Sequence, residues 1–447
     1  MDYILKFRKL SPIQILAIGF VLLSLIGGFV LCLSISSSSG EMTPYLDALF
    51  TATSAVTTTG LIVVDTGSHY NLFGQTVIMI LFQIGGLGYM LFFVVIALLL
   101  GKRLSMQDTL LLREAVKRPV KIELTKFINI VLLFTFAVEL AGAIALAIYF
   151  SNYFPLSQAI YSAIFHSISA FNTAGFSIYT DSLSQYNNSL VLNATFILIF
   201  TAGSLGFWVV FDTFRHISNK FRKRNPSRLS VHSKLVYSLM IVFVIIGIFV
   251  IYFSEDWSTA ISLKEKMLNS IFQTLTATST TGFNTIDIGG LSVTSLILIV
   301  GFMFIGAGSG GTAGGIKITT FGVILASLYS TLRQKENVNI FKRSVSVEIV
   351  QHAFAILSLA VLWTFLTLII LSLTEDASFI QILFEVISAL GTVGLSTGIT
   401  GSLTIVGKWL IIITMLIGRI GPLGIGLSIF TKHRELVKYP NGDIFVG

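Results

Sequence analysis

The sequence predicts an all-α polytopic membrane protein built from four helix–re-entrant loop–helix repeats around one pseudo-fourfold axis. Three observations predict it: the composition, the spacing of the apolar runs, and one short segment that occurs four times. Of 447 residues, 54% are hydrophobic and 11% charged. A soluble chain carries roughly 25% charged residues. One of this length would form about two to four domains, and so few charges could not cover their surfaces. The mean hydropathy of +0.87 agrees. The 38 Gly beside only 7 Pro suit membrane helices, where Gly lets backbones approach closely. Composition therefore excludes a soluble enzyme, a disordered chain and a fibrous one. The single cysteine, Cys32, excludes an intrachain disulfide framework and a multi-cysteine metal site.

A spanning helix needs about 20 mostly apolar residues. Apolar runs lie at 12–34, 73–100, 126–150, 189–214, 235–253, 292–330, 350–373 and 404–431, and each is expected to span. The first follows Lys6, Arg8 and Lys9 like a signal peptide, but its apolar core exceeds the ~7–15 residues of a signal h-region. It is expected to be a retained helix. The run at 292–330 is too long for one straight span and is broken by glycines.

Lysine and arginine set the orientation. Three lie at the N-terminus, seven in 101–126, seven in 215–234, four in 333–343 and three in the C-terminal tail, which is 24 of 29. These stretches alternate with connections that hold only Lys264, Lys266 and Lys408. Both termini and the basic loops are therefore expected on the cytoplasmic side. Topology alone accounts for the net charge of +8, and no nucleic-acid partner is called for. Asp65, Asp181, Asp287 and Glu375 fall in the outer connections and read as ordinary solvated charges, the other reading being that they concentrate cations at the mouth.

Those outer connections carry the repeat: YLDALFTATSAVTTTGL at 45–61, IYSAIFHSISAFNTAGF at 160–176, MLNSIFQTLTATSTTGF at 267–283 and FIQILFEVISALGTVGL at 379–395. They align without gaps. Phe50, Phe165, Phe272 and Phe384 lie ten residues before a glycine, and Ala55, Ala170, Ala277 and Ala389 five before it. Gly60, Gly175, Gly282 and Gly394 are 115, 107 and 112 residues apart, close to a quarter of the chain, and such a period marks a repeat architecture. The units are expected at 1–101, 102–217, 218–333 and 334–447. Each segment is too short to span, as re-entrant segments are.

Non-helical backbone at membrane depth is tolerated only inside protein or against a water-filled cavity. Four loops about one axis supply a pore. Rings of carbonyls replace the water of a dehydrated cation, and the negative C-terminal poles of the half-helices favour a cation beyond them. The expected filter is Thr58, Thr59 and Gly60, Thr173, Ala174 and Gly175, Thr280, Thr281 and Gly282, and Thr392, Val393 and Gly394. Gly391 stands where the other loops have Thr57, Asn172 and Ser279, so the ring is asymmetric there.

Below the filter, GAGSGGTAGGIK at 306–317 interrupts the last span of the third unit. It contains G-x-G-x-x-G at Gly306, Gly308 and Gly311. It approaches a P-loop at Gly310 and Gly315, but Ile316 occupies the required Lys position. With apolar surroundings and no preceding strand expected, nucleotide binding is rejected. Gly306 and Gly308 follow Gly282 by 24 and 26 residues, and Arg419 follows Gly394 by 25. Glycine loop and arginine are thus expected at one depth. The glycines, with Gly314, read either as a gate or as a close-packed kink. Arg419 reads either as a barrier beneath the filter or as the partner of Glu139, the mid-span acid of the second unit. Lys317 reads either as a gate residue with Arg419 or as a lysine that snorkels towards the cytoplasm. His166, on the second half-helix, reads as packing. No catalytic cluster lies within the spans, so an enzyme is not expected. A secondary transporter of another cation or small solute, working with broken helices, is the alternative.

The loops TTTG, NTAG, STTG and GTVG, with GSGGTAGGIK at 308–317 and MLIGRIGPL at 415–423, resemble the Trk/Ktr/HKT superfamily of potassium transporters over essentially the full chain. One helix precedes the first half-helix and the chain ends in YPNGDIFVG, which is similar to the Ktr-type membrane subunit. The resemblance implies potassium uptake with sodium as activator, no cofactor bound by this chain, and a bacterial cell-membrane location. It also implies a homodimer in membrane lipid above a cytoplasmic nucleotide-binding regulatory ring, and it reads the glycine loop as a gate. Potassium channels use T-V-G-Y-G. The single glycine per loop here, followed by Leu or Phe, implies fewer ion sites.

Overall fold

The computed structural model describes residues 12–88, 124–221, 228–257 and 261–421. The basic stretch 101–126 lies outside them except at its end, as do the C-terminal tail and its YPNGDIFVG ending. The described residues are mostly helical and repeat one order of elements four times.

The first helix of each unit is a full span: α1 (Pro12–Cys32), α4 (Leu124–Phe150), α8 (Val231–Ser254) and α12 (Val347–Thr374). These four are long and apolar enough to cross a membrane. Each is followed by a half-helix: α2 (Tyr45–Val56), α5 (Leu156–Phe171), α9 (Leu263–Thr278) and α13 (Phe379–Gly391). After the T-x-G loop comes a second helix: α3 (Leu72–Leu87), α6 (Leu190–Ser204), α10 (Val293–Phe304) and α14 (Ile405–Ile420). Two further helices, α7 (Phe207–Phe221) and α11 (Ile318–Leu332), follow breaks in the second and third units. Side chains of Ser189, Ser230, Ser262, Ser292 and Thr404 accept from the N–H three residues on and start their helices, as N-caps do.

Where described, the second helices differ from expectation; the ends of the expected spans 73–100 and 404–431 lie outside the described residues. The four helices have 16, 15, 12 and 16 residues. At 1.5 Å per residue they cover roughly 18–24 Å, less than the ~30 Å hydrocarbon core. Only the third unit was expected to break. The run 189–214 instead bends by 99° between α6 and α7. The cause is Gly206, at φ +94°, a conformation that ends a right-handed helix. Gly88 (φ +80°) and Gly421 (φ +94°) end α3 and α14 in the same way. A strand does precede the glycine-rich segment: Ile305–Gly306 pairs in parallel with Ile316–Lys317. It is two residues long and closes the neck of the loop's own excursion, so it supplies no nucleotide-binding βαβ unit. A small hairpin, Asn339–Ile340 with Arg343–Ser344, occupies part of the basic 333–343 stretch.

The recurring apolar positions make the core. Phe50, Phe165, Phe272 and Phe384 are fully buried, as are Ala55, Ala170, Ala277 and Ala389. Each phenylalanine packs on the second helix of the preceding unit. Phe165 meets Phe82 edge-on at 5.6 Å, and Phe272 meets Phe200 at 5.8 Å. Phe384 clusters with Ile299, Phe302 and Met303, and Phe50 with Ile411, Ile412 and Met415 of the last unit. The packing therefore runs in a circle and returns from the fourth unit to the first.

Candidate functional site

The four loops share one backbone. Each half-helix ends in a threonine of left-handed conformation: Thr58 (φ +54°), Thr173 (+49°), Thr280 (+55°) and Thr392 (+48°). A β-branched residue there is a genuine outlier, and such strain costs about 1–3 kcal/mol per residue. Recurring bonds hold it in place. The threonine N–H donates to the recurring alanine carbonyl, at 3.0 Å for Thr58–Ala55, 3.1 Å for Thr173–Ala170, 3.2 Å for Thr280–Ala277 and 3.1 Å for Thr392–Ala389. The next N–H donates five residues back: Thr59 to Ser54 at 2.8 Å, and Ala174 to Ser169, Thr281 to Thr276 and Val393 to Ser388 at 2.9 Å.

The glycines close these loops into a ring. Gly60, Gly175, Gly282 and Gly394 all have positive φ, between +68° and +93°. A Cβ on Gly60 would strike the carbonyl oxygen of Ala174, one on Gly175 that of Thr281, one on Gly282 that of Val393, and one on Gly394 that of Thr59. Each glycine thus lies against the carbonyl just before its neighbour's glycine, through all four units and back to the first. All twelve residues expected at the filter sit in this ring.

The surroundings alternate. In the first and third loops hydroxyls pair, Thr57 with Thr59 at 2.7 Å and Ser279 with Thr281 at 2.6 Å. In the second, Asn172 Nδ2 donates to Gln83 Oε1 at 2.6 Å and to Glu139 Oε1 at 3.2 Å, while Gln83 Nε2 donates to Glu139 Oε2 at 3.3 Å. In the fourth, a Cβ at Gly391 would meet the carbonyl of Met303, which explains why that position departs from the others.

The glycine-rich loop lies directly against the ring. Thr173 Oγ1 donates to Thr312 Oγ1 at 3.2 Å, Thr312 Oγ1 donates to the Phe171 carbonyl at 3.2 Å, and Gly314 N donates to Thr280 Oγ1 at 3.2 Å. A Cβ at Gly314 would overlap Thr392 Oγ1. Gly308 N donates to Ser204 O and Phe207 N to Gly310 O, both at 3.1 Å. Gly311 packs on Gly203 and Gly206, Gly306 on Gly314, and Gly310 and Gly315 turn at φ +74° and +68°.

Arg419 does reach this loop, at the depth expected. Its guanidinium donates to the Thr312 carbonyl, to Gly85 O at 2.5 Å and to Gly86 O at 3.2 Å. The pairing with Glu139 is not formed, because that carboxylate is taken by Gln83 and Asn172. Lys317 does not snorkel outward either. Its Nζ turns back to donate to Ala313 O and, at 3.1 Å, to Gly314 O. Three successive loop carbonyls are thereby held by two cations. His166 is packing, as expected: it is fully buried, stacked on Tyr179 at 4.8 Å and bonded to Ser177 Oγ at 3.0 Å.

The model of the TrkH family, described as cation transport protein, matches residues 6–435. The chain belongs to this family, on its Ktr-type branch. It is 39% identical over 450 residues to the Ktr system potassium uptake protein B of Bacillus subtilis (strain 168), covering 100% of this chain and 99% of that one. It is 36% identical to the protein of the same name from Vibrio alginolyticus, covering 97% and 94%. It is 35% identical to the potassium/sodium uptake protein NtpJ of Enterococcus hirae, covering 98% of each. The crystal structure of the potassium transporter TrkH from Vibrio parahaemolyticus superimposes with a TM-score of 0.74 at 18% identity, over 94% of this chain and 85% of that one, which shows the shared fold. The family and the apolar helices make this a multi-pass membrane protein.

Sequence reasoning missed a second recurrence in this family member. Gly85-x-Leu87-Gly88, Gly203-x-Leu205-Gly206 and Gly418-x-Ile420-Gly421 align with Met303-x-Ile305-Gly306. Gly85, Gly203 and Gly418 lie so close to the carbonyls of Val56, Phe171 and Leu390 that no Cβ fits. Those carbonyls each stand four residues before a ring glycine. The G-x-[LI]-G spacing was the available signal.

Proposed function

We propose that this chain takes up potassium through the centre of the ring, with the T-x-G loops as a carbonyl selectivity filter and the glycine-rich loop as the gate beneath it. The observation that carries the reading is the closed circle in which every ring glycine lies against its neighbour's carbonyl. Four loops pinned by the same two backbone bonds are preorganised to replace an ion's hydration shell. Left-handed threonines at all four corners are strain that folding alone does not require. Similarity to two Ktr system potassium uptake proteins supports potassium as the substrate, and similarity to the potassium/sodium protein supports sodium as a second ion.

In this reading Arg419 and Lys317 hold the gate closed by binding the carbonyls of Thr312, Ala313 and Gly314, and Arg419 adds an electrostatic barrier below the filter. Both termini face the cytoplasm of a bacterial cell. The chain works as a homodimer on a cytoplasmic nucleotide-binding regulatory ring and binds no cofactor itself. Tracer rubidium uptake into liposomes tests the reading. Flux that excess potassium blocks, and that amino acids and sugars leave unchanged, is the expected result. Correctly folded protein that passes no monovalent cation would overturn it.

A further inference from the structure

We propose that α7 is an interfacial helix that binds the anionic surface of the cytoplasmic leaflet and passes its position to the gate loop through the elbow at its N-terminus. The proposal rests on the gate reading above.

Depth comes first. The 15 residues of α6 descend roughly 22 Å, about 8 Å short of the far side of a ~30 Å core. The chain then turns by 99°, so α7 runs near the membrane plane at the level where amphipathic helices bury their apolar faces, about 5–10 Å into the headgroup boundary.

Its sequence suits that place. Along one face at helical spacing, Phe207 and Phe211 pack into the protein core, while Phe214 and Ile217 further along turn outward. Phe214 is 65% and Ile217 47% exposed. Arg215 and Lys220, both exposed, flank that face on either side, where their stems lie along lipid and their charges reach headgroups. The polar side is anchored instead. Asp212 Oδ2 accepts from Ser230 N at 2.8 Å and Ser233 Oγ at 2.7 Å, at the start of α8, and Thr213 Oγ1 bonds Tyr237 Oη at 2.8 Å. These contacts fix the roll of α7 and leave Phe214 and Ile217 facing out. Exposed aromatic and aliphatic residues between two cations match an anionic bilayer surface. Cationic flanks disfavour a purely apolar partner.

The elbow reaches the gate. Phe207 N, the first amide of α7, donates to the Gly310 carbonyl at 3.1 Å, Ser204 O accepts from Gly308 N at 3.1 Å, and Gly203 O accepts from Thr312 N at 3.3 Å. Gly206 packs so tightly on Ser309 and Gly311 that no Cβ fits. α7 holds the loop by one backbone bond, from Phe207 to Gly310, and the end of α6 holds it by two, so a shift of α7 in the interface pulls on the loop at Gly310 and at the Gly206 elbow.

Two measurements on the full chain in vesicles test this. A nitroxide at Ile217, in a Cys32→Ser background, should be relaxed by oxygen and shielded from an aqueous nickel chelate. Access to the chelate would overturn the proposal and favour a protein-covered or water-facing helix. Rubidium flux is compared between phosphatidylcholine vesicles and vesicles of equal parts phosphatidylcholine and phosphatidylglycerol. The wild type should differ between them by roughly fivefold per basic residue at most. The Arg215→Gln/Lys220→Gln variant should show no difference and match the wild type in phosphatidylcholine. A wild type indifferent to phosphatidylglycerol, a variant that keeps the response, or a variant inactive in both vesicles would each overturn it. Absence of wild-type flux in every vesicle would instead remove the potassium reading, while the nitroxide still locates α7.

Discussion

The smallest unit of this molecule is a threonine held where threonine is disfavoured, followed two residues later by a glycine that nothing larger can replace. The glycine is constrained twice. At Gly282, φ is +90° and an added Cβ would meet the Val393 carbonyl. Gly282→Ser should therefore displace a neighbour's carbonyl as well as its own loop and lower the preference for rubidium over sodium in competitive uptake. An unchanged preference would show that these carbonyls do not select the ion. Glu139 offers a second residue-level test. Its carboxylate, 5% exposed, accepts from Gln83 and Asn172, and Asn172 adjoins the strained Thr173. Glu139→Ala leaves the part-buried Gln83 Nε2 short of an acceptor, while Asn172 Nδ2 keeps Gln83 Oε1 and the Ile168 carbonyl, a cost of about 1–3 kcal/mol. It should lower the unfolding temperature in detergent and weaken ion preference together. Glu139→Gln, which keeps one acceptor, should do so less. A stability loss with ion preference intact would confine Glu139 to folding.

At the scale of elements, the broken helices matter more than the spans. Apolar length and period made all four half-helices readable, because burial forces Phe50, Phe165, Phe272 and Phe384 into one register. The helix ends at Gly88 and Gly421 and the break at Gly206 were less readable, since hydropathy continues across a glycine and only positive φ ends the helix. The partners of Arg419 and Lys317 were not readable either. They are backbone carbonyls, which carry no sequence signal, whereas Glu139 stood out as a charge. Each cation-to-carbonyl bond is worth about 1.5–3 kcal/mol. Arg419→Gln or Lys317→Met should therefore raise rubidium flux by roughly tenfold or more if closure depends on them. The two hold adjacent carbonyls of one loop, so the double variant should gain less than the two single gains combined. A folded Arg419→Gln protein with lower flux would mean that the arginine supports the open form.

For the whole molecule the question is how one chain closes a fourfold ring whose first and last units share no peptide connection. Three seams join units consecutive in sequence, but the fourth depends entirely on contacts. There Phe50 packs on Ile411 and Met415, Gly394 rests on Thr59, and Lys408 Nζ meets Asp47 Oδ1 at 2.6 Å. Both side chains of that pair are 16% exposed, so solvent screens them less than a surface pair. Asp47 sits in the first turn of α2, where a carboxylate also favours the helix dipole. Lys408 was the one basic residue on the outer side of the fourth unit, and its role was not legible because its partner lies 361 positions away. Removing one member leaves the other largely desolvated, which costs more than removing both. Lys408→Met should thus lower the unfolding temperature in detergent more than the Lys408→Met/Asp47→Asn double variant does. It should also reduce ion preference, because this seam holds Gly394 against Thr59. A double variant no more stable than the single would show that the ring closes on its apolar contacts alone.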